Sequence, residues 1–110
     1  MEIREERKEN VFIIRVNGRI DSVTAKQFET SFLQLIDNGD KLFLVDLSAC
    51  DFINSTGLRV LLLAAKRLTA AEGRIVIAGV NAYIKEVFDI AGFSAIFNIY
   101  PTEEVAIQSL

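Results

Sequence analysis

The sequence contains no histidine, which removes at once the commonest general base, the usual zinc ligand and every Ser-His or Cys-His dyad. Most hydrolytic chemistry is thereby disfavoured. The only cysteine, Cys50, excludes an intrachain disulfide and leaves no CxxC pair for zinc or redox work. Its expected role is that of a small buried apolar residue, and a reducing cytoplasm is the expected compartment. Long apolar runs are missing too. The strongest, Val60-Leu61-Leu62-Leu63-Ala64-Ala65, is bounded by Arg59 and Lys66 and falls far short of the roughly 20 residues that span a bilayer. At the N-terminus, Met1-Glu2-Ile3-Arg4-Glu5-Glu6-Arg7-Lys8 mixes charges where a signal peptide needs an apolar stretch. Neither export nor membrane insertion is expected. A surplus of positive charge is also absent, with 12 Lys and Arg against 15 Asp and Glu and a net charge of -3, so no direct nucleic-acid partner is expected.

What is present is core-forming material: 51% of the 110 residues are hydrophobic, enough for one continuous core, and residues 1–110 are read as one domain. The charged fraction of 25% is too low to hold the chain disordered, and the expected partner is a protein. Residues 3–8 suit an exposed edge strand, and the β-branched and aromatic residues 11–16 a second strand, with Glu9-Asn10 as the hairpin between them. From Ser22, the residues Ala25, Phe28, Phe32, Leu35 and Ile36 recur at spacings of three and four, the mark of an amphipathic helix that ends at Asn38-Gly39. The apolar run 42–47 reads as a doubly covered strand. A second helix follows over 55–71, closed by Glu72-Gly73, then a strand over 74–80. A third helical stripe (Ile84, Val87, Phe88, Ala91), a last strand over 96–100 and a C-terminal helix opened by Thr102-Glu103-Glu104 complete the order ββαβαβαβα. The expected fold is α/β: a mixed, mostly parallel sheet with an N-terminal hairpin and about four helices packed on it.

One segment carries chemistry. The strand at 42–47 leads through Ser48-Ala49-Cys50-Asp51-Phe52-Ile53-Asn54 into Ser55-Thr56-Gly57-Leu58 at a helix start, which places two hydroxyls on a strand-to-helix turn. Position alone favours Ser55 as the helix cap, accepting from the amides of Gly57 and Leu58. Gly57 in the first turn sacrifices helix propensity, and the backbone access it allows serves either an approaching partner or internal packing.

The run Leu44-Val45-Asp46-Leu47-Ser48 followed by Phe52-Ile53-Asn54-Ser55-Thr56-Gly57-Leu58 resembles the strand-loop-helix signature of the STAS domain, typified by anti-sigma-factor antagonists. Gly18-Arg19-Ile20-Asp21, ahead of the first helix, resembles that family's Gly-x-Leu/Ile-Asp turn. Element order and length agree from end to end. The resemblance implies a regulatory binding protein rather than an enzyme, whose serine at the position of Ser55 is phosphorylated by a partner that is both anti-sigma factor and serine kinase, and is restored by a phosphatase. Thr56 is a second possible acceptor. It also implies partner contacts through Asp21, Asn54, Ser55, Thr56, Gly57, Leu58 and Arg59. The sequence departs from the family in carrying Asn54 where aspartate is usual and Arg59 where glycine is frequent. Both departures bear on kinase recognition more than on fold.

Several other readings weigh less. Asp21 can be a capping or turn residue, with Ser22 and Thr24 competing for the cap of the first helix. Leu62 or Leu63 can be interface or core. Asp46 and Asp51 lack the acidic pair on the first strand that a phosphoaspartyl receiver needs. No GxxxxGK[ST] or GxSxG is present, and no cofactor or metal site is expected. Within the same fold, an accessory subunit of a lipid or anion transport assembly, or a scaffold of a stress-signalling complex, is the alternative function.

Overall fold

The computed structural model describes the chain from Met1 to Leu110. Charge dictates where it starts: β1 (Glu2–Lys8) is polar at nearly every position and forms an edge of the sheet, where charged side chains discourage further strand pairing. It turns at Glu9 and Asn10, with Glu9 at φ 57°, and pairs antiparallel with β2 (Val11–Ile20). All remaining pairs are parallel, through β3 (Leu42–Ile53), β4 (Arg74–Ala78) and β5 (Asn98–Tyr100), in the spatial order β1-β2-β3-β4-β5. Parallel neighbours need crossovers, supplied by α1 (Ala25–Asp37), α2 (Ser55–Ala70) and α3 (Ala82–Ile90), and α4 (Glu103–Gln108) closes the chain. The expected ββαβαβαβα architecture is the one observed.

Strand alternation sorts the core into two layers. Phe43, Val45 and Leu47 of β3 join Phe28 and Phe32 of α1, Leu61, Ala64 and Leu68 of α2, and Phe88 of α3 in the large cluster. Leu44 points the other way, with Val11, Ile13, Val76 and Ala78, against Ala106 of α4. That is why 42–47 reads as an apolar run interrupted only by Asp46: both of its faces are covered. Each fully buried Phe or Leu here contributes roughly 1.5–3 kcal/mol from burial.

The strand expected over 11–16 runs on to Ile20 and the one expected over 74–80 stops at Ala78; three further boundaries differ from the sequence expectation for a tertiary reason. The strand expected over 42–47 runs on to Ile53, because Ala49, Cys50, Phe52 and Ile53 keep pairing with Asn17, Gly18, Arg19 and Ile20 across two register shifts. The helix expected from Ser22 begins at Ala25, residues 21–24 being taken up in a turn. The strand expected over 96–100 shrinks to Asn98–Tyr100 because Phe93–Ala95 forms a single 3-10 turn and Phe97 N–H donates to Phe93 C=O. That turn folds Phe93 and Phe97 onto Phe88, with ring centroids 5.5 to 6.5 Å apart.

The α4 face is held by charge as well as by Ala106. Arg15 on β2 grips Glu103 of α4 with two bonds, Nε to Oε2 at 2.6 Å and Nη2 to Oε1 at 2.9 Å, and reaches Glu6 at 2.8 Å. The guanidinium holds the Glu103 carboxyl down to about 2. Asp46, beside it on β3, goes the other way: partial burial first, then Glu103, raise its pKa, although Ser48 N–H donates to its Oδ1 at 2.8 Å. The two groups have opposite linkage. Glu103 stabilises the fold at pH above its unfolded value of about 4.3, and that contribution is lost as pH falls through about 2. Asp46, ionised, costs stability at neutral pH, and the cost is relieved as pH falls through its raised folded value. Asp46→Asn keeps an acceptor for Ser48 and gives Glu103 a donor. It should therefore raise stability by about 0.5–1 kcal/mol at pH 7 to 8, with the gain vanishing in acid. Thermal unfolding across pH checks this, and a variant less stable than wild type at pH 8 would contradict it.

Candidate functional site

The long pairing of β2 and β3 brings two chain segments out of the sheet together. Ile20 is the register partner of Ile53, and the next amide, Asn54 N–H, donates to Ile20 C=O at 3.2 Å. Asp21 and Asn54 therefore open two turns side by side. This is the edge of the sheet outside the C-terminal ends of parallel strands, the usual location of binding sites in such folds.

In the first turn, Asp21 Oδ1 accepts from the amides of Val23 and Thr24 at 2.9 and 3.1 Å, and Asp21 N–H donates to Thr24 Oγ1 at 2.9 Å. The Thr24 hydroxyl lies 2.8 Å from Arg19 C=O. Asp21 is thus a turn residue, and neither Ser22 nor Thr24 caps α1 through its side chain. The Thr24 and Val23 amides, with the nearby Arg19 guanidinium, hold the Asp21 carboxyl below the usual range. Val23, 86% exposed, is an apolar side chain set out in solvent by this turn.

The second turn overturns the capping assignment. The N-cap of α2 is Asn54, not Ser55: Asn54 Oδ1 accepts from Thr56 N–H at 3.1 Å and Gly57 N–H at 3.2 Å, while Leu58 N–H donates to Asn54 C=O at 3.0 Å. Asn54 has the extended backbone of a cap, φ −111° and ψ −174°. Its Nδ2 also donates to Ser22 Oγ at 3.4 Å, which ties the two turns together. Ser55 becomes the first helical residue, exposed, with its hydroxyl outside the capping bonds.

The remaining residues named from sequence separate by depth. Gly57 and Leu58 are buried. A Cβ on Gly57 would sit 2.6 Å from Ile20 Cγ2 and 2.8 Å from Ile53 Cγ1, so the missing side chain serves the packing of α2 on the strand ends rather than access from outside. Thr56 is half-buried and lines a shallow groove of about 220 Å³ between α1 and α2, with Ser22, Lys26, Glu29 and Arg59. Arg59 is exposed and pairs with Glu29 of α1 at 3.2 Å. Asp21, Asn54, Ser55, Thr56 and Arg59 share one surface, and Gly57 and Leu58 set its depth from below. Along α2, Leu62 and Leu63 are half-buried while Leu61 is fully buried.

Sequence reading assigned no role of their own to five neighbours of this surface. The Arg19 guanidinium lies 4.1 Å above the Phe52 ring, and Phe52 stacks on half-exposed Tyr83 of α3 at 6.1 Å. Only the register shift between Gly18 and Arg19 sets Arg19 opposite Phe52, and nothing in the spacing of the residues announces that shift. Glu29 was hidden for a similar reason: its partner lies on another helix. Val23 did carry a signal, an apolar residue inside a polar turn.

Three variants test the local mechanics. Asn54→Ala strips the cap from two amides and should destabilise the protein by about 1 kcal/mol, whereas Asn54→Asp should not. Gly57→Ala gains helix propensity of about 1 kcal/mol but overpacks Ile20 and Ile53 at about 1–3 kcal/mol, for a net loss in urea unfolding. An unchanged midpoint in Asn54→Ala, or a raised one in Gly57→Ala, would contradict the geometry.

Comparison with known proteins agrees with this architecture. The STAS domain family model matches residues 2–106. BtrV of Bordetella bronchiseptica, which carries the name of an anti-sigma factor antagonist, is 33% identical over 106 residues, covering 96% of this chain and 91% of the relative. The crystal structure of an anti-sigma factor antagonist from Mycobacterium paratuberculosis superposes with a TM-score of 0.92 at 25% identity, covering 98% of this chain and 92% of that one. The Bacillus cell fate determinant SpoIIAA in its phosphorylated form superposes with a TM-score of 0.78 at 22% identity, covering 98% of each chain. With its two turns joined at the ends of β2 and β3 and a family match over nearly its whole length, this chain belongs to the STAS domain family.

Proposed function

We propose that this protein is an anti-sigma-factor antagonist. Unmodified, it binds an anti-sigma factor that is also a serine kinase, and it releases that partner once Ser55 is phosphorylated. The phosphoryl group moves from ATP to Ser55 Oγ, with ADP leaving and the hydroxyl proton lost, and a phosphatase hydrolyses the ester to reset the protein. The observation that carries this reading is the exposed Ser55 hydroxyl, released from capping because Asn54 takes that role. Relatives that carry the name of anti-sigma factor antagonists support it. So does the existence of a protein of this fold, SpoIIAA, in phosphorylated and unphosphorylated forms.

The switch follows from charge and solvation. Phosphorylation adds about −1.5 to −2 charges, and on an exposed residue this leaves the core intact. A partner that covers Ser55 must strip water from the dianion, a cost of several kcal/mol unless it supplies cations. Every ~1.4 kcal/mol is tenfold in affinity. Docking is lost with no change of shape. Thr56 is the poorer acceptor because it is half-buried in the groove between α1 and α2.

Mass spectrometry after incubation with the cognate kinase and ATP should show one phosphate on the wild type, none on Ser55→Ala and one on Thr56→Ala. Modification that survives in Ser55→Ala and disappears in Thr56→Ala overturns the site. In titration calorimetry, Ser55→Asp should bind the unmodified protein's partner at least about tenfold more weakly, and wild-type affinity would count against the electrostatic block.

A further inference from the structure

A phosphate on Ser55 needs donors, and the usual ones are taken. Helix N-termini commonly receive anions on their free amides, but here Asn54 Oδ1 already accepts from Thr56 N–H and Gly57 N–H, and Leu58 N–H is bound to Asn54 C=O. The first turn of α2 offers the dianion little beyond the Ser55 amide itself. Side chains must supply the rest.

Arg59 is placed to do so. It lies four residues after Ser55 in α2, one turn along the same exposed face, and an acidic group N-terminal to a basic one at this spacing is the favourable order. At rest, the Arg59 guanidinium makes one contact, Nη2 to Glu29 Oε1 at 3.2 Å, with Arg59 largely exposed. A phosphate carries up to twice the charge of that carboxylate and three acceptor oxygens, which the planar guanidinium fork matches in pairs. The other nearby cations are less suited. Arg19 is committed to the Phe52 face and lies 3.5 Å from Asp21. Lys26 is on α1, three residues before Glu29, with which it shares the groove beside Thr56, and it remains near Glu29 if Arg59 leaves.

We propose that Arg59 is the internal receptor for the Ser55 phosphate, exchanging Glu29 for phosphoserine on modification; this rests on Ser55 being the modified residue. The exchange anchors the dianion flat on the exposed face of α2 and severs a tie between α2 and α1. A partner then meets a fixed phosphate–guanidinium pair instead of a free hydroxyl. Arg59 is a positioning residue in this scheme. It touches the phosphate after transfer and takes no part in the transfer itself.

The test uses the full chain with phosphoserine installed at position 55 by genetic encoding, so its outcome does not depend on any kinase. Phosphorus NMR titration reads the second ionisation of the phosphate, about 6 for an unperturbed phosphoserine. In the phosphorylated wild type, with Glu29, Lys26, Arg19 and Asp21 as the surrounding charges, it should fall below that value. Arg59→Gln should raise it by about half a unit or more, equal to about 0.7 kcal/mol. Arg59→Lys should restore part of the shift, and Glu29→Gln should keep or deepen it. Equal titrations for wild type and Arg59→Gln overturn the proposal, since a merely structural role for Arg59 would not move this signal. If instead the kinase modifies a residue other than Ser55, the regulatory reading fails separately, in the mass spectrum.

Discussion

Parallel pairing of β2 with β3 beyond the point where the rest of the sheet stops is the constraint on which the surface around Ser55 depends. Two register shifts let the strands continue to Ile20 opposite Ile53, and the bond from Asn54 N–H to Ile20 C=O ends both at one place. From there each chain must turn at once, so Asp21 and Asn54 become neighbours although 33 residues apart in numbering. Gly57 completes the arrangement, because only a residue without a Cβ lets the first turn of α2 settle onto Ile20 and Ile53.

The start of α2 divides structural and presented roles between adjacent residues. Asn54 takes the stabilising task, two amide bonds and a link to the neighbouring turn. Ser55 is left on the surface with little structural duty. A hydroxyl that held the helix together could not be esterified without loosening it, whereas one outside the cap can change charge at small cost to the fold. The ion pairs around it follow the same logic. Arg59 with Glu29 is exposed, and such pairs contribute about 0–1 kcal/mol, so they can exchange partners without threatening stability.

The two faces of the sheet are built differently. One carries α1, α2 and α3 over a continuous core of aromatic and aliphatic side chains, and the other carries only the short α4, fastened by Ala106 and by the grip of Arg15 on Glu103. Asp46 stands beside that ion pair with its carboxyl raised by burial and by Glu103, the one place where the sheet holds a charge under electrostatic tension. It lies on the strand that leads to Ser55, on the face turned away from the large core. Residues on β3 thus serve a packed layer, a charged layer and, past Ile53, the exposed turn.

By itself the sequence determined the element types and their order, because they rest on local periodicity: the three- and four-residue spacing of Ala25, Phe28, Phe32 and Ile36, and the run from Leu42 to Leu47, apolar but for Asp46. It also determined that Ser55 sits at the mouth of a helix and that the chain resembles the STAS domain, since both are written in contiguous residues. What it left open was decided by contacts between distant ones. Whether Asn54 or Ser55 caps α2 depends on which backbone becomes extended, and that is set by the pairing of Ile53 with Ile20. Whether Gly57 faces a partner or the interior depends on those same two isoleucines. The partner of Arg59 lies on another helix, and the extension of β3 rests on two register shifts against β2, each with one extra residue on β3. Local spacing carries the energy of a residue with its near neighbours along the chain, but the direction in which a cap, a glycine or a guanidinium points is fixed only once separate segments share a register.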